Sequence, residues 1–223
     1  MTYTLRLLEI SPVTHDTYHL VFDRPEGFEF EPGQATHFAL DRDGWRDKDR
    51  PFTMTSLPED RAHVEFVIKS YPEHDGVTEQ IPGLTRGDKV LAEDPAGAIT
   101  DHGPGLFIAA GAGITPFIPI LKKQTAEGVE GRHLIFANKP AKDIILKQTW
   151  DEMPGLKVDH VLSDDPGTAH HSGKLDRAML ERLVESTDQP CYLCGPRGFV
   201  NDIRDALKAM GVAEERIITE NGW

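Results

Sequence analysis

Four short stretches carry residues whose types and spacing could bind and align a phosphorylated ligand with a flat ring. The first is Gly111-Ala112-Gly113-Ile114-Thr115-Pro116, which follows five apolar residues, Leu106–Ala110, and precedes a second apolar run. Gly111 and Gly113 allow a tight bend and a close backbone approach, with no Cβ in the way. Pro116 suits the first turn of a helix, where its missing N–H removes only an unpaired donor. A strand, a glycine turn and a helix start together aim N–H groups and partial positive charge at one point, which favours phosphate. The same turn would also serve a plain strand-to-helix connection.

The second stretch is Arg50-Pro51-Phe52-Thr53. A guanidinium can hold a phosphate bidentately, an aromatic two residues on offers a face for a flat ring, and the hydroxyl of Thr53 can bond a ring nitrogen. Alternation puts Arg50 and Phe52 on one side and Thr53 on the other, so a ligand there wraps the strand edge. The third is Asp75-Gly76-Val77-Thr78, where Gly76 permits close backbone approach before a short helix. The fourth, Cys194-Gly195-Pro196, follows the apolar run Cys191–Cys194. Ligands of open parallel sheets bind beyond the carboxyl ends of strands, so Cys194 is expected in the crevice of Gly111–Pro116.

These stretches need positioning elements of two kinds. Over the first hundred residues, Thr4–Ile10, Thr17–Asp23, Ala35–Leu40, Phe52–Thr55, His63–Lys69 and Lys89–Ala92 read as strands separated by Gly, Pro and Asp turns. Six short strands at this spacing predict a closed antiparallel barrel, with a helical turn near Thr78–Ile81. After His102-Gly103-Pro104-Gly105 the pattern changes to alternating strands and helices. Leu106–Ala110, Leu134–Asn138, Val158–Ser163, Cys191–Cys194 and Ile217–Glu220 read as strands; helices run to Gln124 and over Asp143–Trp150, Asp176–Val184 and Phe199–Met210. That alternation predicts a five-stranded parallel sheet with helices on both faces. Two domains follow, residues 1–102 and 103–223, suggesting two ligands that meet at the seam.

Composition excludes several classes. Of 223 residues, 24 are Lys or Arg and 37 are Asp or Glu, a net charge of −13, which speaks against a nucleic-acid partner. The excess is uneven, with 10 basic against 20 acidic residues up to Gly105. No apolar run reaches the roughly 20 residues of a membrane span, and the opening residues lack a signal-peptide layout. Two cysteines, Cys191 and Cys194, cannot make a disulfide framework or a four-cysteine iron–sulfur site. On a strand, positions three apart face opposite sides, which argues against a redox or zinc pair. His170-His171 are expected to be solvated rather than metal-binding. A cytoplasmic setting is expected.

Taken in order, Arg50–Thr53, Gly76–Thr78, Gly111–Pro116 and Cys194–Pro196 resemble the Arg-x-Tyr-Ser/Thr, Gly-x-x-Ser/Thr, Gly-x-Gly-x-x-Pro and Cys-Gly-Pro markers of the ferredoxin–NADP⁺ reductase family. Phe30-Glu31-Pro32-Gly33-Gln34 is similar to that family's Phe-x-Pro-Gly-Gln entry to the third strand. The resemblance covers essentially the whole chain, in the compact form with no fused iron–sulfur domain. It implies a flavin-binding barrel followed by a nicotinamide-binding α/β domain. Hydride passes from nicotinamide C4 to flavin N5 in such a protein, and electrons go on to a ferredoxin, a flavodoxin, an oxygenase component or free flavin. The implied cofactor is FAD, with FMN the less favoured alternative, and NADH or NADPH is the co-substrate.

The resemblance also implies roles. Arg50 holds the flavin phosphate beside Pro51, Phe52 lies against the flavin, and Thr53 bonds near N5. Ile68, Lys69 and Ser70 pass its ribityl and phosphate side, and Gly76, Val77 and Thr78 form a second phosphate turn. Gly111, Ala112, Gly113, Thr115 and Pro116 take the nicotinamide dinucleotide's pyrophosphate. Asn138, Cys194, Gly195 and Pro196 belong to the same cofactor surface, and Cys194 and Glu220 approach the nicotinamide. Thr53, Cys194 and Glu220 are thus the catalytic set, and Trp223 is a candidate lid over the flavin. Phe52 replaces the commoner Tyr, and the Gly76 turn is one residue short. Ser163-Asp164-Asp165 stands where members that prefer NADPH offer a basic group; carboxylates there would repel a 2′-phosphate, which favours NADH. Lys139 and Lys174 would partly offset this. A reductase of free flavin and a non-catalytic flavin-binding subunit remain alternatives.

Overall fold

The computed structural model describes residues 1–165 and 170–220. The chain divides into two units, residues 1–101 with 115–120, and residues 102–114 with 121–223. The first holds β1 (Thr2–Pro12), β2 (Thr17–Asp23), β3 (Ala35–Leu40), β4 (Arg50–Thr53), β5 (His63–Lys69), helix α1 (Val77–Gln80) and β6 (Lys89–Glu93). These strands form one antiparallel sheet in the order β4-β3-β6-β1-β2-β5. A bridge between Met54 and Phe66 ties the end strands β4 and β5, so the expected six-stranded barrel forms. β4 starts two residues earlier than the apolar run suggests. Met54 leaves the strand for its bridge, and Thr55 donates to Glu65 O at 2.7 Å.

Alternating apolar positions drive the closure. Leu5, Leu7, Leu20, Phe22, Phe38, Val64 and Phe66 point inward and are fully buried. Phe22, Phe38 and Phe66 meet edge to face at centroid distances of 5.5–6.2 Å, the favoured arrangement for aromatic quadrupoles. Gly33, in the Pro-Gly turn before β3, has φ +100° and lies so close to Ile99 O that a Cβ would sit 2.3 Å from it. Only glycine can close that turn.

The second unit holds β7 (Leu106–Ala110), β8 (Arg132–Asn138), α3 (Lys147–Asp151), β9 (Leu156–Leu162), β10 (His171–Ser172), α4 (Arg177–Leu183), β11 (Cys191–Cys194), α5 (Arg197–Ala209) and β12 (Ile217–Ile218). Helix α2 (Phe117–Ala126) is shared between the units. The sheet is parallel, in the order β10-β9-β8-β7-β11-β12. Six strands replace the expected five: His171–Ser172 pairs with Val161–Leu162. Two residues among Gly and Ser are too few to show periodicity, so the strand exists only through its neighbour. α5 buries Val200, Ile203, Ala206 and Leu207 at helical spacing and ends before Gly211, whose φ of +94° suits a helix C′ residue. Asp176 caps α4 by accepting from Met179 N at 2.9 Å.

The expected helix over 143–150 is broken. A 3₁₀ turn covers Ala141–Asp143, and α3 starts only after Leu146, which is left-handed at φ +56°. The buried Trp150 indole donates to Ile145 O at 2.7 Å, five residues back, a contact that apolar spacing does not encode. Among the described residues no helix is long and apolar enough to cross a membrane.

Tyr192 stacks on Phe107 at 4.2 Å between the adjacent strands β11 and β7. Its hydroxyl donates to Gly103 O at 2.6 Å and accepts from His102 N at 2.8 Å, fastening the Gly-Pro stretch before β7. Tyr192→Phe removes both of these bonds. It is expected to cost about 1–3 kcal/mol, read as a lower denaturation midpoint with an unchanged m-value.

Candidate functional site

In the barrel, β4 pairs with β3 in a register that sets Arg50 against Phe38, Pro51 against His37, Phe52 against Thr36 and Thr53 against Ala35. Phe52 is half-buried, its ring 4.5 Å from that of Phe38. Arg50 is exposed; its Nη1 donates to Asp49 O at 2.7 Å, and it has no carboxylate partner among the described residues. At the end of β5 the three expected residues divide. Ile68 belongs to the barrel core, and Lys69 binds Asp16 at 2.5 Å, so neither side chain is open to a ligand. Ser70 differs: it is 5% exposed, and its Oγ is buried without a hydrogen-bond partner. Such an orphan is uncommon and calls for a partner. Gly76 is the N-cap of α1 with no side-chain cap, preceded by Asp75 in left-handed backbone at φ +43°. Val77 is buried in the core, and Thr78 is half-buried.

In the other unit the expected residues gather at the carboxyl edge of the parallel sheet. The order reverses at β7: the chain moves outward through β8, β9 and β10, then returns to place β11 on the other side of β7. Such a reversal opens a crevice at the strand ends. Gly111–Ile114 forms a 3₁₀ turn beyond β7, and Gly113 packs on β11 so tightly that a Cβ would lie 2.4 Å from Cys194 O. Gly195 is hemmed in by Phe199 and Ala110, with a Cβ reaching 2.8 Å and 3.0 Å. The two glycine motifs, eighty residues apart in sequence, are therefore one surface.

One expectation needs correction. Pro116 precedes α2 instead of lying in its first turn, and Ile118 N donates to Thr115 O. Phe117, Ile118 and Ile120 are fully buried, and Pro119 has no N–H. At this helix start Pro116 and Pro119 bring no N–H and Ile118 N is used by Thr115 O, so the N–H groups of the glycine turn before it are the ones a phosphate could use. The uncapped start lies instead at α5, where Pro196 is the N-cap, no acidic residue occupies the first turn and Arg197 opens it.

Cys194 and Glu220 are brought together. Burial pushes the Cys194 thiol up to about 12, and the charge of Glu220 adds to the rise, so the thiol stays protonated. Cys191 is likewise raised by burial, to about 11, and both cysteines are free. Asn138, the last residue of β8, has both amide atoms buried without partners. Thr219, which motif reading passed over, also has a buried, unpartnered hydroxyl. Its only signal in sequence is its place after the last strand of a parallel sheet. Trp223 lies outside the described residues.

His170 and His171 are partly exposed, yet both meet neighbours. His171 is in β10 and meets Asp159 at 2.9 Å, while the His170 ring lies 5.1 Å from that of His160. Asp159 also holds His133 at 2.7 Å, and Asp151 holds His160 at 2.7 Å. Among the described residues no group of three or more ligating side chains could hold a metal.

Two measurements test this geometry. Gly113→Ala forces apart the turn and the end of β11, an overpacking expected to cost about 1–3 kcal/mol in chemical denaturation. The second concerns pH. Burial lowers His133 and His160 below the ordinary 6.5, outweighing the carboxylates that would raise them. The unfolded chain takes up protons near 6.5 and the folded chain only lower. Stability is therefore full above that pH and falls as pH drops through it. For Asp151 and Asp159 burial alone would raise the pKa, but hydrogen bonds from their Lys and His partners lower it from 3.8, so a second loss follows below that value. The thermal midpoint should fall between pH 7.5 and 5.5, and His160→Gln should flatten that fall. A midpoint that does not move over this range contradicts the assignment.

Residues 4–100 match the family model described as oxidoreductase FAD-binding domain, and residues 107–205 the one described as oxidoreductase NAD-binding domain. The reductase component of propane 2-monooxygenase from Rhodococcus jostii is 27% identical over 231 residues, covering 95% of this chain and 61% of its own. NADH-cytochrome b5 reductase 1 of Pyricularia oryzae is 29% identical over 187 residues, covering 77% and 60%. This chain thus spans about three fifths of the length of these relatives. In fold, it superposes on the FAD/NAD-binding domain of nitric oxide dioxygenase from Vibrio cholerae with a TM-score of 0.86, at 21% identity and 97% coverage of both. With a barrel and a parallel α/β sheet in series, each matched by its own domain model, the chain belongs to the ferredoxin reductase-like FAD/NAD oxidoreductases.

Proposed function

We propose that the chain is a flavin-dependent NAD(P)H oxidoreductase, transferring hydride from nicotinamide C4 to flavin N5 and delivering electrons to a separate acceptor. The observation that carries this reading is that buried polar groups in both matched domains lack a partner at positions the resemblance assigns to cofactors: Ser70 Oγ in one, the Asn138 amide in the other. A buried polar group is normally satisfied, so both positions fit a ligand that supplies the missing bonds.

Residues 1–102 would hold FAD and residues 103–223 the nicotinamide dinucleotide. Arg50 would neutralise the flavin phosphate beside Pro51, with the Gly76, Val77 and Thr78 turn nearby in sequence. Phe52 would offer its ring face, Thr53 a hydroxyl towards N5, and Ser70 its hydroxyl. FAD, when bound, supplies the ring that accepts hydride and releases electrons. On the other domain, the Gly111, Ala112, Gly113, Thr115 and Pro116 corner and the Gly195–Pro196 turn would take the pyrophosphate. Asn138 and Thr219 offer uncommitted polar groups. Cys194 contributes a neutral thiol, since burial and Glu220 keep its proton on. Alignment of the reacting groups and exclusion of water are the protein's contribution to rate.

NADH is the proposed reductant. Asp165 is anchored by accepting from Ala141 N, and Asp164 N donates to Lys139 O, which fixes this acidic segment after β9. Lys174 is tied to Asp202 at 2.9 Å and offers less compensation than its sequence position suggests. NADH in the name of a relative supports the same choice. For the acceptor, the 10 basic against 20 acidic residues of the barrel half disfavour an acidic ferredoxin or flavodoxin. An oxygenase component fits better, as the name of the Rhodococcus relative suggests. Two free cysteines are compatible with a reducing, cytoplasmic setting.

The absorption spectrum of the purified protein tests this. A bound-flavin spectrum that bleaches on adding NADH, with kcat/KM for NADH above that for NADPH, is expected. Colourless protein that rapidly reduces added FAD would favour the flavin-reductase alternative, and a tenfold preference for NADPH would reverse the choice of reductant.

A further inference from the structure

The segment between β3 and β4, residues 41–50, holds four cations and four carboxylates: Arg42, Arg46, Lys48 and Arg50 against Asp41, Asp43, Asp47 and Asp49. Three of the cations are committed. Arg42 binds Asp88 at 2.9 Å, Arg46 binds Asp41 and Asp43 at 2.7 Å each, and Lys48 lies 4.5 Å over the Trp45 ring. Arg50 meets neither an acid nor a ring among the described residues, though its guanidinium folds back to the carbonyl of Asp49 at 2.7 Å. A carboxylate on the very residue it touches should be its first partner. That carboxylate is taken: Asp49 Oδ2 lies 2.5 Å from His37 Nδ1. The hydrogen bond from His37 holds the Asp49 carboxyl below its usual range, with the Arg50 charge a smaller contribution, so the two groups already feel one another.

The barrel register explains how this is arranged. His37 and Phe38 are consecutive on β3 and so point to opposite faces. Arg50 is the partner of Phe38, and directly opposed residues share a face. Holding Asp49 on His37 therefore keeps its carboxylate off the face where the Phe38 and Phe52 rings meet.

We infer that His37 is a positioning residue for the anion site. It sequesters the Asp49 carboxylate, so that Arg50 stays uncompensated and open to a phosphate. The inference rests on the reading of Arg50 as the flavin-phosphate ligand. Without His37, Asp49 would turn to Arg50, neutralise it and add a negative charge beside the phosphate.

The test is the dissociation constant of FAD, titrated by fluorescence quenching into full-length protein stripped of flavin. His37→Ala should weaken binding about fivefold, the scale of one exposed ion pair. Asp49→Asn should bind at least as tightly as the parent chain. The double variant His37→Ala/Asp49→Asn should return to within about twofold of the parent, because the competing charge is gone. Thermal midpoints read alongside separate lost folding from lost affinity. Unaltered affinity in His37→Ala overturns the inference, and so does a deficit that persists in the double variant, which would mean His37 acts through packing. Failure of the parent chain to bind FAD would instead overturn the function reading on which it stands.

Discussion

A glycine pressed against a carbonyl governs the α/β half of this molecule. Gly113 leaves no room for a methyl group before Cys194 O, so the turn after β7 and the end of β11 form one backbone surface. That contact exists because β7 and β11 are parallel neighbours at the point where strand order reverses. It brings the glycine corner to the Cys-Gly-Pro turn, and Glu220 close enough to Cys194 to raise its thiol. Every group proposed for the nicotinamide side sits at or beyond the carboxyl end of a strand, where a sheet covered on its faces still opens to solvent.

The barrel half depends on how charges are spent. Several of its cations are consumed: Arg24 and Arg61 by Glu29, Arg42 by Asp88, Arg46 by two aspartates, Lys69 by Asp16. At the surface such pairs add little stability, since water screens them and side chains lose freedom. Their larger consequence is selective. Arg50 is left without a carboxylate among the described residues although Asp49 is its own neighbour, and it stands at the strand the resemblance assigns to the flavin phosphate.

The histidines follow the same logic in reverse. His133 and His160 are buried on β8 and β9 next to aspartates yet kept neutral by desolvation. Their pairs with Asp159 and Asp151 are hydrogen-bonded core features of the sheet, and His171 joins them from β10. Imidazoles in such a network order a sheet edge without needing a metal.

The sequence by itself determined the class of each half. Period-2 alternation with glycine turns specifies a barrel, and buried apolar strands alternating with helical periods specify a parallel sheet, because both are local patterns with fixed geometry. Five strands, β2, β3, β5, β7 and β11, begin and end where their residue types suggest. The short glycine and Arg-Pro-Phe-Thr motifs were legible for the same reason. Tertiary structure decided what depends on neighbours far along the chain. β10 forms only against β9, and the glycine corner meets the Cys-Gly-Pro turn only because β11 is laid beside β7. Which polar groups are spent is also a tertiary matter. Lys69 and Ser70 are adjacent, yet one is locked to Asp16 and the other is left without a partner, a distinction set by strand register and burial rather than by residue type.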